Sequence, residues 1–287
     1  MLYILLSICC SVIVSILLKL AKRYQIDVFQ AITWNYSMAI VLTWFFLKPH
    51  LQNLPAQPFY IYSLLGLLLP SIFVVIAVSI RLTGIVRTEI AQRLSLVIPI
   101  VAAFLLFGEP LTPLKIIGIL LGFAAIICSI PWKKERSPAK KAAANSWVYL
   151  LTVFIGIGII DMLLKQMATF KGVSYSTSLF MVTVIAFVLS LIGLFYRFAT
   201  KKSKFSWPHI GFGWILGIAN FGNILFYLKA HQALANKPST VFSAIDIGII
   251  VGGALVGLLV FKEKLSTLNK VGIALAIIAI AVIYYTS

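Results

Sequence analysis

An aspartate stands in the middle of an apolar run near the C-terminal end of the chain. Asp246 lies nine residues beyond Lys237, among Phe242, Ile245, Ile247, Gly248 and Ile249. At ~1.5 Å per helical residue that is ~13 Å of helix, close to the middle of a hydrocarbon layer ~30 Å thick. A charge there costs at least ~2.5–3.5 kcal/mol unless it meets a cavity or a partner. Its own helix supplies no counter-ion, so Asp246 is suited to hold a proton or a cation. The bland alternative is an acid satisfied by a hydroxyl or a lysine of another helix.

A second acid, Asp161, has Lys165 one turn along the same run. Opposite charges at i and i+4 are neighbours on a helix surface. The expectation is an ion pair, equally able to act as a gate, a binding element or a structural tie. Ser15 occupies the matching place in an earlier stretch, where Leu17-Leu18-Lys19 echoes Leu163-Leu164-Lys165. Asn220, Asn223, Tyr227 and His231 follow one another at steps of three, four and four. They read as one polar stripe on the helix face that also presents Gly213 and Gly217. Such a stripe can order a polar substrate, or glue helices at only ~0.6 kcal/mol per bond.

Trp34 and Asn35, with Tyr36 and Trp44 nearby, combine aromatic faces with an amide. Cation–π attraction would let them wall a site for a cationic or ring-bearing substrate, although tryptophan also gathers at membrane interfaces. Glu89 and Arg93 form another i,i+4 pair beside Arg81 and Arg87, read as an inner gate or an interfacial salt bridge.

Other chemistries are missing their residues. Gly156 and Gly158 lie too far before Asp161 for the Gly-x-Gly-Asp pattern of an intramembrane aspartyl enzyme, and no His-Glu-x-x-His or Walker motif occurs. Cys9, Cys10 and Cys128 all sit in apolar runs and offer neither a disulfide framework nor a metal spacing. No ring of acids or carbonyls marks a channel filter. The expectation is a protein with no catalytic activity, no metal and no cofactor.

The residues named above need long apolar helices to hold them. Of 287 residues 61% are hydrophobic, and the mean hydropathy is +1.06. The chain reads as an all-α integral membrane protein with ten transmembrane helices. Their expected limits are 2–18, 28–47, 59–80, 88–107, 113–130, 147–164, 174–198, 209–227, 239–261 and 267–285. The first run has no basic start and no cleavage signal, and is expected to be retained. The formal charge of +17 falls in short loops, not on one folded face, so nucleic acid is not an expected partner. Loops after odd-numbered spans hold most of the Lys and Arg, whereas the other side has Lys48, Lys115, Lys165, Lys171, Lys229 and Lys237. The positive-inside rule then puts the basic 133–146 linker in the cytoplasm and both termini outside.

One stretch occurs twice. Phe107-Gly108-Glu109-Pro110-Leu111-Thr112, followed by Leu114, Gly118 and Gly122, matches Phe261-Lys262-Glu263-Lys264-Leu265-Ser266, followed by Leu268, Gly272 and Ala276, at a constant offset of 154. Each copy is a tight hairpin between apolar helices, with Glu109 or Glu263 expected to bond backbone N–H groups and a hydroxyl to cap the helix that follows. The chain therefore divides into residues 1–132, the linker, and residues 147–287. Five spans per half is an odd number, so the halves are expected to be inverted relative to each other.

Two five-span halves, each ending in apolar-x-Glu-x-Leu-[Thr/Ser]-x₂-Leu-x₃-Gly, resemble the drug/metabolite transporter superfamily, in particular its EamA-type members. Pro99, ten residues before Glu109, also fits that pattern, whereas Gly253 and Lys262 depart from it in the second half. The resemblance implies an α-helical carrier with a central cavity between spans 1–4 and 6–9, and with spans 5 and 10 as supports. It leaves the substrate open. The expectation is a multi-pass protein of the cytoplasmic (inner) membrane that moves a small polar metabolite such as an amino acid or amine, with coupling to protons an open option. A flippase for a lipid-linked or lipophilic substrate is the alternative. The partners expected are that substrate and the bilayer, with monomer and homodimer both open.

Overall fold

A lipid layer gives a backbone nowhere to place its N–H and C=O groups except within its own helix. The computed structural model describes residues 2–50, 59–83, 85–129, 146–170, 172–201, 203–259 and 266–285, without the side chains of Lys19, Lys22, Arg81, Ile85, Val86, Glu89, Ser129, Ser146 and Tyr284. Among them the chain is helical with no strand. The helices are α1 (Leu2–Arg23), α2 (Val28–Leu42), α3 (Phe59–Thr83), α4 (Ile85–Leu94), α5 (Val97–Leu105) and α6 (Pro113–Ser129). After them come α7 (Ser146–Thr169), α8 (Tyr175–Ala199), α9 (Trp207–Ala233), α10 (Pro238–Leu259) and α11 (Thr267–Tyr285). Five described helices (α3, α7, α8, α9 and α10) contain windows long and apolar enough to cross a membrane, and four shorter apolar runs accompany them. The basic linker and the Glu263 hairpin lie outside the described residues.

The fourth expected span is not one helix. It divides into α4 and α5 around Ser95 and Leu96. Pro99 is the cause, since it has no N–H and its ring collides with the carbonyl four residues back. That carbonyl, on Ser95, is taken instead by the Ile98 N–H at 3.0 Å. The second span also ends irregularly, in a π-type turn over Thr43–Leu47.

The first repeated hairpin turns at Gly108, whose φ of 65° suits a residue without a Cβ. Thr112 then caps α6, its Oγ1 accepting from Lys115 N at 3.3 Å. The second copy does the same at Ser266, which accepts from Asn269 N at 3.2 Å.

Helices pack closest where glycine lets them. α9 lies against α2 so tightly that a Cβ on Gly213 would meet the Ala31 carbonyl at 2.7 Å, and one on Gly217 the Asn35 carbonyl at 2.7 Å. α9 also packs on α1, α3 on α7 and α8, α2 on α8, α1 on α10, and α7 on α4 and α5. α6 and α11 form the broadest seam of all, joined at Gly118, Ala125, Ala276 and Ala279. The exposed side chains along the outer helices are apolar, including Leu105, Phe45, Phe46, Ile192 and Ile277, as a lipid-facing surface requires.

Backbone-to-backbone contact cannot yield to a larger side chain as a rotamer can. Gly217→Val should lower stability by about 1–3 kcal/mol, read as the unfolding midpoint in detergent. Gly211→Ala is the control, because nothing lies within 4 Å of its added Cβ. Equal midpoints for the two variants would show that the α2–α9 contact is slack.

Candidate functional site

The acids singled out by their apolar surroundings meet in space. Asp161 enters from α7 and accepts a hydrogen bond from the Tyr227 hydroxyl of α9 at 3.3 Å. Asp246 enters from α10, within electrostatic reach of Asp161 and Tyr227. Arg93, at the end of α4 just before the break, is within electrostatic reach of Asp246. Asp246 makes no hydrogen bond or ion pair among the described residues. Tyr227 and Phe242 flank His231, with ring centroids 4.7 and 4.6 Å away. His231 is wholly buried, and neither ring nitrogen has a partner among the described residues.

The expected ion pair between Asp161 and Lys165 does not form. Asp161 turns to Tyr227, whereas the Lys165 ammonium donates to Thr169 Oγ1 at 3.3 Å and lies 4.4 Å from the centre of the Phe107 ring. The reason is a competing acid. Glu109 lies within electrostatic reach of Lys165, and the ammonium rests on Thr169 and the Phe107 ring one turn further along. Glu89 has no described side chain, so its expected pair with Arg93 lies outside the described residues.

Glu109 itself is buried and fully engaged. Its carboxylate accepts from Lys115 Nζ at 2.6 Å, from Ser239 N at 2.7 Å and from Ser239 Oγ at 2.7 Å. It therefore caps the start of α10, where orphan N–H groups and the helix dipole favour an anion. Bonding to a backbone N–H was legible in the sequence; the lysine six residues away was not. A pairing across a hairpin follows no helical spacing.

The polar stripe expected on α9 separates. At 100° per residue, Asn223 lies about 80° round the helix from Gly213, enough to turn it to another neighbour. Its Oδ1 accepts from Ser7 Oγ at 3.0 Å and Ser11 Oγ at 2.7 Å, which ties α9 to α1. Tyr227 faces Asp161 instead. Asn220 shares a small cavity with Asn35, lined also by Val14, Ile32, Phe73 and Leu216. About 10 Å³ there is open to the centre of a water molecule, room for one water. Asn35 is buried with its Oδ1 unpartnered among the described residues, so a water or a ligand group would complete it.

The remaining candidates stand apart. Ser15 is exposed and donates back to the Ser11 carbonyl at 3.1 Å. Trp34 covers Gly213 with its Cβ, and its buried Nε1 has no partner among the described residues. Trp44 is half exposed and packs on Phe180 at 5.6 Å, outside any enclosed space. The arrangement is thus two half-buried acids, a phenol and an arginine between α4, α7, α9 and α10, together with a small cavity lined from α1, α2, α3 and α9. Such a cluster can take up a proton or bind a cationic group.

Comparison with known proteins bears on the fold around this site. Residues 1–130 match the model of a family described as the EamA-like transporter family. An uncharacterized protein of Haemophilus influenzae (strain ATCC 51907 / DSM 11121 / KW20 / Rd) is 40% identical over 286 residues, covering 97% of this chain and 96% of the relative. A solved structure titled only as the crystal structure of a protein shares the fold. Its TM-score is 0.74 at 15% identity, over 99% of this chain and 96% of that one. The apolar helices and these matches together make the chain a multi-pass membrane protein.

Removing Glu109 leaves Lys115 buried without its counter-charge. Glu109→Ala should therefore cost about 3–5 kcal/mol, seen in detergent-mixture unfolding. Adding Lys115→Met to that variant should recover a large part of the loss. A double variant as unstable as the single one would mean that the helix cap, not the ion pair, carries the energy.

Proposed function

The chain belongs to the EamA-like transporter family, and from that membership we propose that it is a secondary carrier for a small polar metabolite, working by alternating access. Members of this family are transporters and not enzymes. The observation that carries the reading is the meeting of Asp161, Asp246 and Tyr227, the acids half-buried, among apolar helices. A lipid environment makes each of those acids costly, so such residues mark ion and substrate pathways by default. The substrate class favoured is one with a cationic group, an amine or an amino acid. Arg93 faces Asp246, whereas Asp161 has only a neutral phenol as its hydrogen-bond partner and is free to accept a positive charge.

The proposed machine has ten spans in two inverted halves, 1–132 and 147–287, with α4 and α5 together as the fourth span. The helix contacts support this. Exchanging the halves turns α2–α9 into α8–α3, α1–α9 into α7–α3, and α1–α10 into α7 with α4 and α5, all of which are contacts the fold contains. Inverted repeats of this kind allow two half-bundles to rock around a site near the midplane. Asp246 is proposed as the coupling site for protons, in a cytoplasmic membrane with the linker inside and both termini outside.

Ligand binding stabilises the folded state by mass action. Thermal unfolding of the purified protein should rise with millimolar amines or amino acids, and Asp161→Asn should remove most of that rise. In proteoliposomes a pH gradient should drive uptake of the stabilising compound, and Asp246→Asn should abolish the gradient's effect while exchange continues. Stabilisation by lipid-linked or lipophilic compounds alone would favour a flippase. Gradient-driven uptake that survives Asp246→Asn would remove its coupling role.

A further inference from the structure

Two sets of hydrogen bonds fasten the ends of the antiparallel α2–α8 pair, and they are the same contact made twice. At the start of α2, Asp27 is the N-cap residue, accepting from Phe29 N at 2.9 Å. Three residues on, Gln30 is completely buried. Its Nε2 donates to the Lys204 carbonyl at 2.8 Å and to Ser203 Oγ at 3.1 Å, and its Oε1 accepts from Ser206 N at 3.4 Å. Ser203 also donates to the Asp27 carboxylate. At the start of α8, Ser174 is the N-cap residue, accepting from Thr177 N at 3.3 Å. Three residues on, Thr177 is buried. Its Oγ1 accepts from His50 N at 3.1 Å and donates to the His50 carbonyl at 3.2 Å.

The correspondence is close. In each case the third helical residue of one half grips the loop that follows the second span of the other half. Asp27 and Ser174, like Gln30 and Thr177, are 147 positions apart, near the offset that relates Ser15 to Asp161. The helix segment from Val28 to Leu47 is ~30 Å long at ~1.5 Å per residue, so the two grips sit on opposite faces of a bilayer. Both are closed together in this structure, and the amide-lined cavity between them has room for one water.

We propose that these grips are the two latches of the transport cycle: Gln30 with the 203–206 loop shuts one face, Thr177 with His50 shuts the other, and each opening exposes the central site to one side only. The structure is then the occluded state, with both latches fastened. This rests on the carrier reading, and it adds to that reading which residues hold each face shut. Their side chains bond backbone groups of the opposing loop, so the latches depend on the path of the loop and not on its side chains, apart from Ser203.

The test uses the full chain with Cys9, Cys10 and Cys128 replaced by serine and a single reporter, Leu216→Cys, on the cavity wall. A membrane-impermeant maleimide is applied to proteoliposomes sorted for orientation. Gln30→Ala should raise labelling from the Asp27 face by roughly fivefold, and Thr177→Val should do so from the His50 face. Fivefold is the shift expected for loss of about one net hydrogen bond. Thr177→Ser keeps the hydroxyl and should label as the parent does. Reporter labelling that is measurable yet unchanged by both variants would overturn the latches and leave the carrier reading intact. A reporter that never labels from either face, in any variant, would overturn both.

Discussion

Inside a bilayer a polar group has no water to fall back on, and the placement of this protein's few polar side chains follows from that constraint. Asn223 takes two serine hydroxyls at once and thereby fixes α1 on α9. Glu109 collects a lysine ammonium, a backbone N–H and a hydroxyl, and so fixes a hairpin on the first turn of α10. What stands out against this background is a small set without full partners. Asp246, His231, the Asn35 Oδ1, the Trp34 Nε1 and the Tyr36 and Ser243 hydroxyls have no hydrogen-bond partner among the described residues, and Asp246 and His231 lie close to Tyr227. Among these, Asp246 and His231 are the titratable groups gathered beside Tyr227, and they have the capacity to take up a proton or a ligand group.

Packing and function are separated along single helices. On α9, Gly213 and Gly217 bring two backbones together, Asn223 holds α1, and Tyr227 faces Asp161. On α10, Ser239 receives the Glu109 cap, whereas Asp246 two turns later is left open. The broken fourth span follows the same logic. Pro99 ends α4 just after Arg93 and so lets the guanidinium reach the field of Asp246. In each case one element carries a rigid contact near a less constrained chemical group, which is how a carrier can hold its shape while its site changes occupancy.

Much of the fold was legible in the sequence because its signals are local. Apolar runs, the Thr112 and Ser266 caps and the turn at Gly108 are all read over a few residues. Asp161 and Asp246 were legible for the same reason, as charges where none should be. Long-range choices were not. The stripe on α9 reads as one face, yet a rotation of about 80° between Gly213 and Asn223 sends its members to different neighbours. The i,i+4 spacing pairs Lys165 with Asp161, yet the ammonium turns to Thr169 and the ring of Phe107, a residue of a remote hairpin. The grips at Gln30 and Thr177 left no mark in the sequence, since their acceptors and donors include backbone groups of remote loops, and any residue supplies those.

If the two halves of this chain rock about a central site, the two membrane faces open in turn. The most direct measurement is the pair of distances across the two faces, by double electron–electron resonance in lipid nanodiscs. Spin labels at the exposed residues Tyr24 and Phe205 report one face, and labels at Tyr60 and Asn236 the other. With a stabilising amine present or absent, the account predicts that one distance lengthens as the other shortens. Two fixed distances, or two that lengthen together, would contradict it.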